Sequence, residues 1–357
     1  MKLGLLLPTL HSLELNANAL RAAEQLGADD VWVLDHMMGF THPDLWPDFP
    51  ASAALPDPDA LLDPFVVAAT LGPTTDLRLG LSVTDATRRR GADLARAAMT
   101  LSDACRGGFV LGLGSGEAES IVPFGYDYER PVGNLEQALR EIRSLLDEGV
   151  MPDGHGRTGL PRHDVPDVWV AAQRPRMLKL TGRYADGWIP LPSEPEEYAN
   201  QYELVKQAAE TAGRSAPIAS ICPATIFGES RDAVAATLEE IPIVKLMAYY
   251  VPDEIWQRYG LTHPGGPGCR GQIDLIPHEL DPNELRGLAP RIPLELLEEL
   301  AWIGSAEEIA GRLKPFAEAG AKHIVLGDLT GTTYTPDDAA QVLGAQLPRL
   351  KQLIGAF

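Results

Sequence analysis

Val31-Trp32-Val33-Leu34 is an apolar run of strand type that ends abruptly in a carboxylate and an imidazole, Asp35 and His36. Packing gives no reason for a buried strand to end that way. Imidazole is the side chain best suited to move a proton near neutral pH, and an adjacent carboxylate can fix its tautomer or raise its basicity. Polar residues follow other apolar runs too, in Ser82-Val83-Thr84-Asp85, Gly114-Ser115-Gly116-Glu117 and Ala172-Gln173-Arg174. Chemistry gathered after several strands belongs to the carboxyl edge of a parallel sheet, where α/β enzymes keep their sites. The chain therefore reads as an enzyme. Glu117, just past the glycines, is an acid placed to bond a ring amide or relay a proton; otherwise it is an exposed loop carboxylate.

The glycines let backbone amides approach a phosphate or a flat ring closely. The spacing in Gly112-Leu113-Gly114-Ser115-Gly116 is GxGxG rather than GxGxxG, it follows the fourth strand, and Pro123 arrives before a helix could start. A dinucleotide-binding Rossmann site is therefore rejected. Gly114-Ser115-Gly116 also lacks the GxSxG context of a serine nucleophile. His36 and His42 have no HExxH or CxxC pattern near them, so no metal site is expected.

The formal charge of −20 argues against nucleic acid and anionic membranes as partners, both of which need a basic surface. Against that background Arg88-Arg89-Arg90, and the group Arg174, Arg176 and Arg183, read either as solvated faces or as a pocket for an anionic ligand. Cys105, Cys222 and Cys269 are too scattered for a disulfide framework or a metal knuckle, which suits a reduced cytoplasmic protein. Residues 1–8 are too short for a signal-peptide core and read as a first strand. No stretch approaches the roughly 20 apolar residues of a membrane helix.

Short apolar runs alternate with segments of helical period, the pattern of repeated βα units. Strands are predicted at 2–8, 30–35, 77–84, 108–113, 167–172, 187–190, 218–227 and 323–326. Helices are predicted at 16–26, 63–71, 92–104, 134–147, 195–212, 231–248, 306–319 and 337–353. Eight strands close a (β/α)8 TIM barrel, here as one domain spanning 1–357. Two stretches interrupt the alternation. Residues 37–62, rich in proline and aromatic side chains, begin directly after His36 and are expected to close over the site as a lid. Residues 251–293, which carry His263-Pro264-Gly265-Gly266-Pro267-Gly268, form an insertion that is either a mobile cover or a passive surface segment.

Five segments in this order resemble the luciferase-like monooxygenase superfamily, and within it the coenzyme F420-dependent (deazaflavin) branch. They are Val33-Leu34-Asp35-His36, Leu79-Gly80-Leu81-Ser82-Val83-Thr84, Leu111-Gly112-Leu113-Gly114-Ser115-Gly116-Glu117, Val168-Trp169-Val170-Ala171-Ala172-Gln173-Arg174-Pro175 and Thr181-Gly182-Arg183-Tyr184-Ala185-Asp186-Gly187-Trp188. The resemblance implies a non-proline cis peptide at Ser82-Val83 beneath the deazaflavin ring and a cofactor contact at Asp35. It implies His36 as acid or base at the substrate and Glu117 as a catalytic acid near the ring. It implies Thr84, Gly114, Ser115 and Gly116 as further cofactor-binding residues, Ala171, Ala172 and Gln173 on the phosphodiester side, and Arg174 as a cofactor-binding residue able to engage an anion.

Two departures qualify the likeness. Gln173-Arg174 replaces a pair of glycines, and no tryptophan stands four residues beyond His36, the nearest being Trp46, which argues against glucose 6-phosphate as substrate. The sequence looks most like the phthiodiolone ketoreductase-type proteins of actinobacteria. What the resemblance implies is hydride transfer to or from a carbonyl or activated double bond of a small apolar substrate, by a homodimer. FMN with molecular oxygen, as in a monooxygenase, is the alternative cofactor chemistry, and a flavin-binding paralogue without catalysis is a third reading.

Overall fold

The computed structural model describes residues 1–162 and 164–357. Eight parallel strands close a barrel: β1 (Lys2–Leu7), β2 (Asp30–Val33), β3 (Arg78–Leu81), β4 (Phe109–Gly114), β5 (Asp167–Val170), β6 (Gly187–Trp188), β7 (Ile218–Ile221) and β8 (His323–Asp328). The ring closes where β8 returns to β1, with Lys2 opposite His323 and Leu5 opposite Leu326. The outer layer is α1 (Leu13–Gln25), α2 (Pro64–Leu71), α3 (Gly91–Ala104), α4 (Pro131–Asp147), α5 (Pro175–Tyr184), α6 (Pro195–Thr211), α7 (Ala306–Glu318) and α8 (Pro336–Ile354). This is the expected (β/α)8 barrel, built from the eight expected strands.

Strand alternation explains the core. Strands β2 and β5 share the tetrapeptide Asp-Val-Trp-Val. Successive side chains on a strand face opposite ways, so the valines pack outward beneath the helices while Trp32 and Trp169 fill the barrel interior with Val110, Ile189 and Val325. The two indoles meet at 5.3 Å between ring centroids. Neighbouring strands make room with glycine: a Cβ on Gly4 or Gly80 would overlap Trp32, and one on Gly187 would overlap Trp169.

Three elements differ from expectation. Helix α5 was not anticipated, because its buried Met177, Leu178, Leu180 and Thr181 are interleaved with charged residues. The helix expected over 231–248 stops at Glu240, since Pro242 cannot continue it, and Pro242–Tyr250 winds on as a 3-10 helix. A further strand, Ala301–Gly304, pairs with Ala224–Phe227, beyond Cys222-Pro223, where the expected strand 218–227 breaks.

The two interrupting stretches prove to be a single packed unit, and the second begins at Pro242 rather than at 251, taking in the 3-10 helix through Tyr250. Leu45, Trp46 and Phe49 of the first share a hydrophobic cluster with Tyr249, Tyr250, Trp256, Leu285 and Leu296 of the region between β7 and α7. Asp59 receives His278 Nε2 at 2.9 Å and Asp48 receives Arg286 Nε at 2.8 Å. His263 is neither on a mobile cover nor on a passive surface: it is buried, and its Nε2 lies 2.8 Å from the Tyr249 carbonyl oxygen. Among the described residues no helix is long and apolar enough to cross a membrane.

Candidate active site

The C-terminal ends of the strands deliver their polar residues to one mouth. His36 follows β2, the Ser82–Val83 peptide follows β3 and is cis, and Glu117 follows β4. Immediately after Glu117 the chain enters a one-turn 3-10 helix, Ala118–Ser120, which brings a second acid, Glu119, to the same imidazole. His36 Nδ1 lies 2.7 Å from Glu119 Oε1 and 3.8 Å from Glu117 Oε2.

The insertion completes the arrangement with a neutral donor for each acid. Tyr250 Oη donates to Glu119 Oε2 at 2.9 Å, and Gln272 Nε2 donates to Glu117 Oε1 at 2.7 Å. Phe40 packs edge-on against the His36 ring at 4.5 Å, and the Met37 amide donates to Ser120 Oγ at 3.1 Å. Tyr128 Oη donates to the Gly116 carbonyl oxygen.

These contacts set the protonation of the cluster. Burial alone would lower the His36 pKa, but the Glu119 hydrogen bond, followed by the charges of Glu117, Glu119 and Asp35, outweighs it and pushes the imidazole up to about 9. Burial pushes the Glu117 carboxyl up to about 7, with His36 opposing and the charge of Glu119 adding to the rise. The result is a protonated imidazole whose Nδ1 is held by a carboxylate and whose Nε2 makes no hydrogen bond among the described residues. That is the arrangement of a proton donor. The donor atoms of His36, Glu117 and Glu119 lie within 4.8 Å of one another, a His/Glu/Glu set that a search for contiguous metal motifs does not find.

The other expected site residues divide by exposure. Ser82, Val83, Ser115, Gly116 and Ala171 are half-buried at the mouth, and Gln173 and Arg174 are exposed at the start of α5. Asp35, Thr84, Gly114 and Ala172 lie beneath the surface. Asp35, expected to contact a cofactor, is gripped by two guanidinium groups: Arg88 Nη2 at 3.1 Å and Arg89 Nη1 at 2.8 Å from its Oδ2. Thr84 is fully buried and pairs with Leu113 in a short added strand. Arg88 and Arg89 are accordingly neither a solvated face nor an anion pocket. Arg88 also pairs with Asp85, and Arg89 with Asp63 at 2.8 Å.

Several residues of the mouth escaped the sequence reading. Glu119 was detectable as a second acid two positions beyond Glu117. Tyr250 and Gln272 had no local signature, because the insertion folds them back from more than 130 residues away. Asp328, at the end of β8, has its carboxyl pushed up to about 6 by burial. Burial pushes the Cys222 thiol up to about 12, against the opposing hydrogen bond of the Ser82 side chain, which leaves it a poor nucleophile.

Residues 1–323 match the luciferase-like monooxygenase family. The chain belongs to that family. A phthiodiolone/phenolphthiodiolone dimycocerosates ketoreductase of Mycobacterium bovis is 35% identical over 95% of this chain and 93% of its own length. Among solved structures, an F420-dependent secondary alcohol dehydrogenase in complex with an F420-acetone adduct shares the fold at a TM-score of 0.69, with 18% identity and 98% of each chain covered. A riboflavin lyase with modified FMN and riboflavin shares it at 0.67, with 16% identity, covering 99% of this chain and 91% of its own. These two likenesses are of fold alone.

Proposed function

We propose that the protein is a coenzyme F420-dependent oxidoreductase that transfers a hydride to or from a carbonyl carbon or activated double bond of a small apolar substrate. The observation that carries the reading is the His36 imidazole at the barrel mouth, with Nδ1 2.7 Å from Glu119 and 3.8 Å from Glu117. The ketoreductase likeness at 35% identity supports the reaction class.

The residues at the mouth suit a flat ring with an anionic tail. Half-buried Ser82, Val83, Ser115 and Gly116 would hold the ring, and the buried Glu117 Oε2, which has no hydrogen-bond partner, is available to a ring amide. Ala171, Gln173 and Arg174, with the amides that open the ten-residue α5, would hold the phosphodiester. When bound, the deazaflavin supplies or accepts the hydride pair. In the reducing direction negative charge would develop on the carbonyl oxygen, next to the protonated imidazole. The oxygen then takes the Nε2 proton of His36, leaving a neutral imidazole that reloads from solvent. Phe40 and Tyr249 wall the cluster on the lid side, where Tyr249 Oη donates to the Phe40 carbonyl oxygen, and help exclude water.

The test is a binding titration of the purified protein with F420 and with FMN, followed by absorbance measurements with a panel of ketones and secondary alcohols. Saturable F420 binding and a ketone-dependent change in its absorbance are expected. Tight FMN binding with oxygen consumption on reduced flavin would replace this reading with that of an FMN-dependent monooxygenase.

A further inference from the structure

We infer that Glu119 is a positioning residue: it holds the imidazole of His36 by Nδ1 so that Nε2–H faces the reacting oxygen, and Tyr250 of the insertion aims Glu119. The inference rests on the proposed role of His36 as proton donor. Three geometric observations carry it. Glu119 is fully buried yet spends both carboxylate oxygens on named partners, His36 at 2.7 Å and Tyr250 at 2.9 Å. Glu117, by contrast, stands 3.8 Å from the same nitrogen, is a quarter exposed, and has Oε2 without a hydrogen-bond partner. The imidazole plane is braced by Phe40, and Tyr250 packs edge-on against that same ring at 5.9 Å.

The two acids therefore divide the work. A carboxylate bonded to one imidazole nitrogen fixes which nitrogen presents its proton outward and favours the charged ring. A carboxylate with a free oxygen at the mouth remains available to a ligand. The Tyr250 hydroxyl has the alternative of the Phe40 carbonyl oxygen, 3.2 Å away, so its bond to Glu119 links the insertion to the acid. The packing of the insertion on the barrel and the orientation of His36 are thereby tied to one another.

The test reads His36 directly by NMR titration of its labelled imidazole in cofactor-free protein, alongside steady-state kinetics with F420. The groups that bear on this titration are Glu117, Glu119 and Asp35 around His36, Tyr249 and Tyr250 from the insertion, and Asp85 beside Glu117. In Glu119→Gln the His36 midpoint is expected to fall from about 9 by roughly one pH unit or more. The alkaline limb of kcat should move down with it, kcat should drop roughly 10- to 100-fold, and F420 affinity should stay within about twofold. Glu119→Asp should recover part of the midpoint shift. Tyr250→Phe, which keeps the ring and loses only the hydroxyl, should lower kcat several-fold without moving the midpoint down. Glu117→Gln should shift the midpoint less than Glu119→Gln.

A His36 midpoint unchanged in Glu119→Gln, or moved more by Glu117→Gln, overturns the assignment. Should Glu119→Gln fail to fold, no recovery of kcat in Glu119→Asp relative to Glu119→Ala, or an unaltered kcat in Tyr250→Phe, overturns it equally. The NMR titration needs no cofactor, so it decides the role of Glu119 even if F420 does not bind.

Discussion

The barrel carries a histidine–carboxylate pair at each end, at the same 2.7 Å separation, and the two pairs do opposite things. At the N-terminal end His323 Nε2 meets Asp30 Oδ2, Trp32 Nε1 donates to Asp30 Oδ1 at 2.6 Å, and Arg78 reaches Asp30 at 3.5 Å and Asp167 at 3.1 Å. Trp169 stacks edge-on against His323. Asp30 and His323 are almost completely buried, and the pair is a plug. At the C-terminal end His36 meets Glu119, but a second acid, Glu117, stands 3.8 Å from the same nitrogen. Each imidazole leaves one nitrogen without a hydrogen-bond partner, His323 its Nδ1 and His36 its Nε2; what sets the mouth apart is the second acid and an imidazole that is 10% exposed, against 2% for His323.

Protonation separates the ends further. Burial would raise the Asp30 pKa, yet the hydrogen bond and charge of His323, with Arg78 and Trp32, hold it below its ordinary value of 3.8. A lowered carboxyl contributes stability that is present above the unfolded pKa and lost as pH falls through the folded one. At the mouth His36 and Glu117 are both raised. The His36 contribution is complete below 6.5 and is lost as pH rises through about 9. That of Glu117 is complete below 4.5 and is lost as pH rises through about 7. The plug thus weakens in acid and the mouth weakens in alkali.

The contrast can be broken most forcefully at His36. His36→Asn keeps a hydrogen-bonding group beside Glu119 but no transferable proton, and is expected to lower kcat/KM by roughly 10²- to 10⁴-fold in protein that still folds; its melting temperature should also fall, because buried Glu119 loses its cationic partner. Steady-state assays with F420 and a responsive ketone, with calorimetry beside them, check both halves. Asp30→Ala should act on stability alone. It strands buried His323 and the Trp32 N–H, so a loss of about 3–5 kcal/mol in denaturant unfolding is expected, with kcat of the folded fraction retained. A large kcat loss there would show that the two ends are coupled.

Melting temperature measured against pH sharpens the comparison at smaller scale. Wild type should lose stability from near pH 5 toward 9, and His36→Asn should flatten the part between 6.5 and 9. The acid limb should be unaffected by that change and reduced in a variant lacking Asp30. Ser305→Ala is the control remote from both ends. It removes the capping box of α7, in which Ser305 accepts from the Glu308 amide at 3.3 Å, and should cost about 1 kcal/mol with no change in kcat or in pH response.

What could be read from the sequence follows the range of the interactions. Strands and most helices were legible because alternation and helical period are local: short apolar runs marked the eight strands, and the longer periodic segments between them marked the helices. His36, Glu117 and the Ser82–Val83 peptide were legible because each follows closely on a strand. The repeated Asp-Val-Trp-Val would have revealed the plug, had its inward positions been compared across β2 and β5. Arg88 and Arg89 misled because a run of like charge says nothing about the acids waiting for it, the buried Asp35 and Asp85 and the exposed Asp63. Tyr250 and Gln272 were out of reach, since their partners are set by the return of a long insertion.

The shared cluster joining residues 37–62 to the region between β7 and α7 constrains how relatives of this protein can diverge or be recombined. Grafting a foreign insertion alone would leave Leu45, Trp46 and Phe49 against an unmatched surface and strip the partners from Asp48 and Asp59. Grafting a foreign loop alone would do the same from the other side. New substrate ranges on this scaffold must therefore be inherited as a matched pair of segments nearly 200 positions apart, and chimeras cut between them should be poorly folded even when each parent is sound.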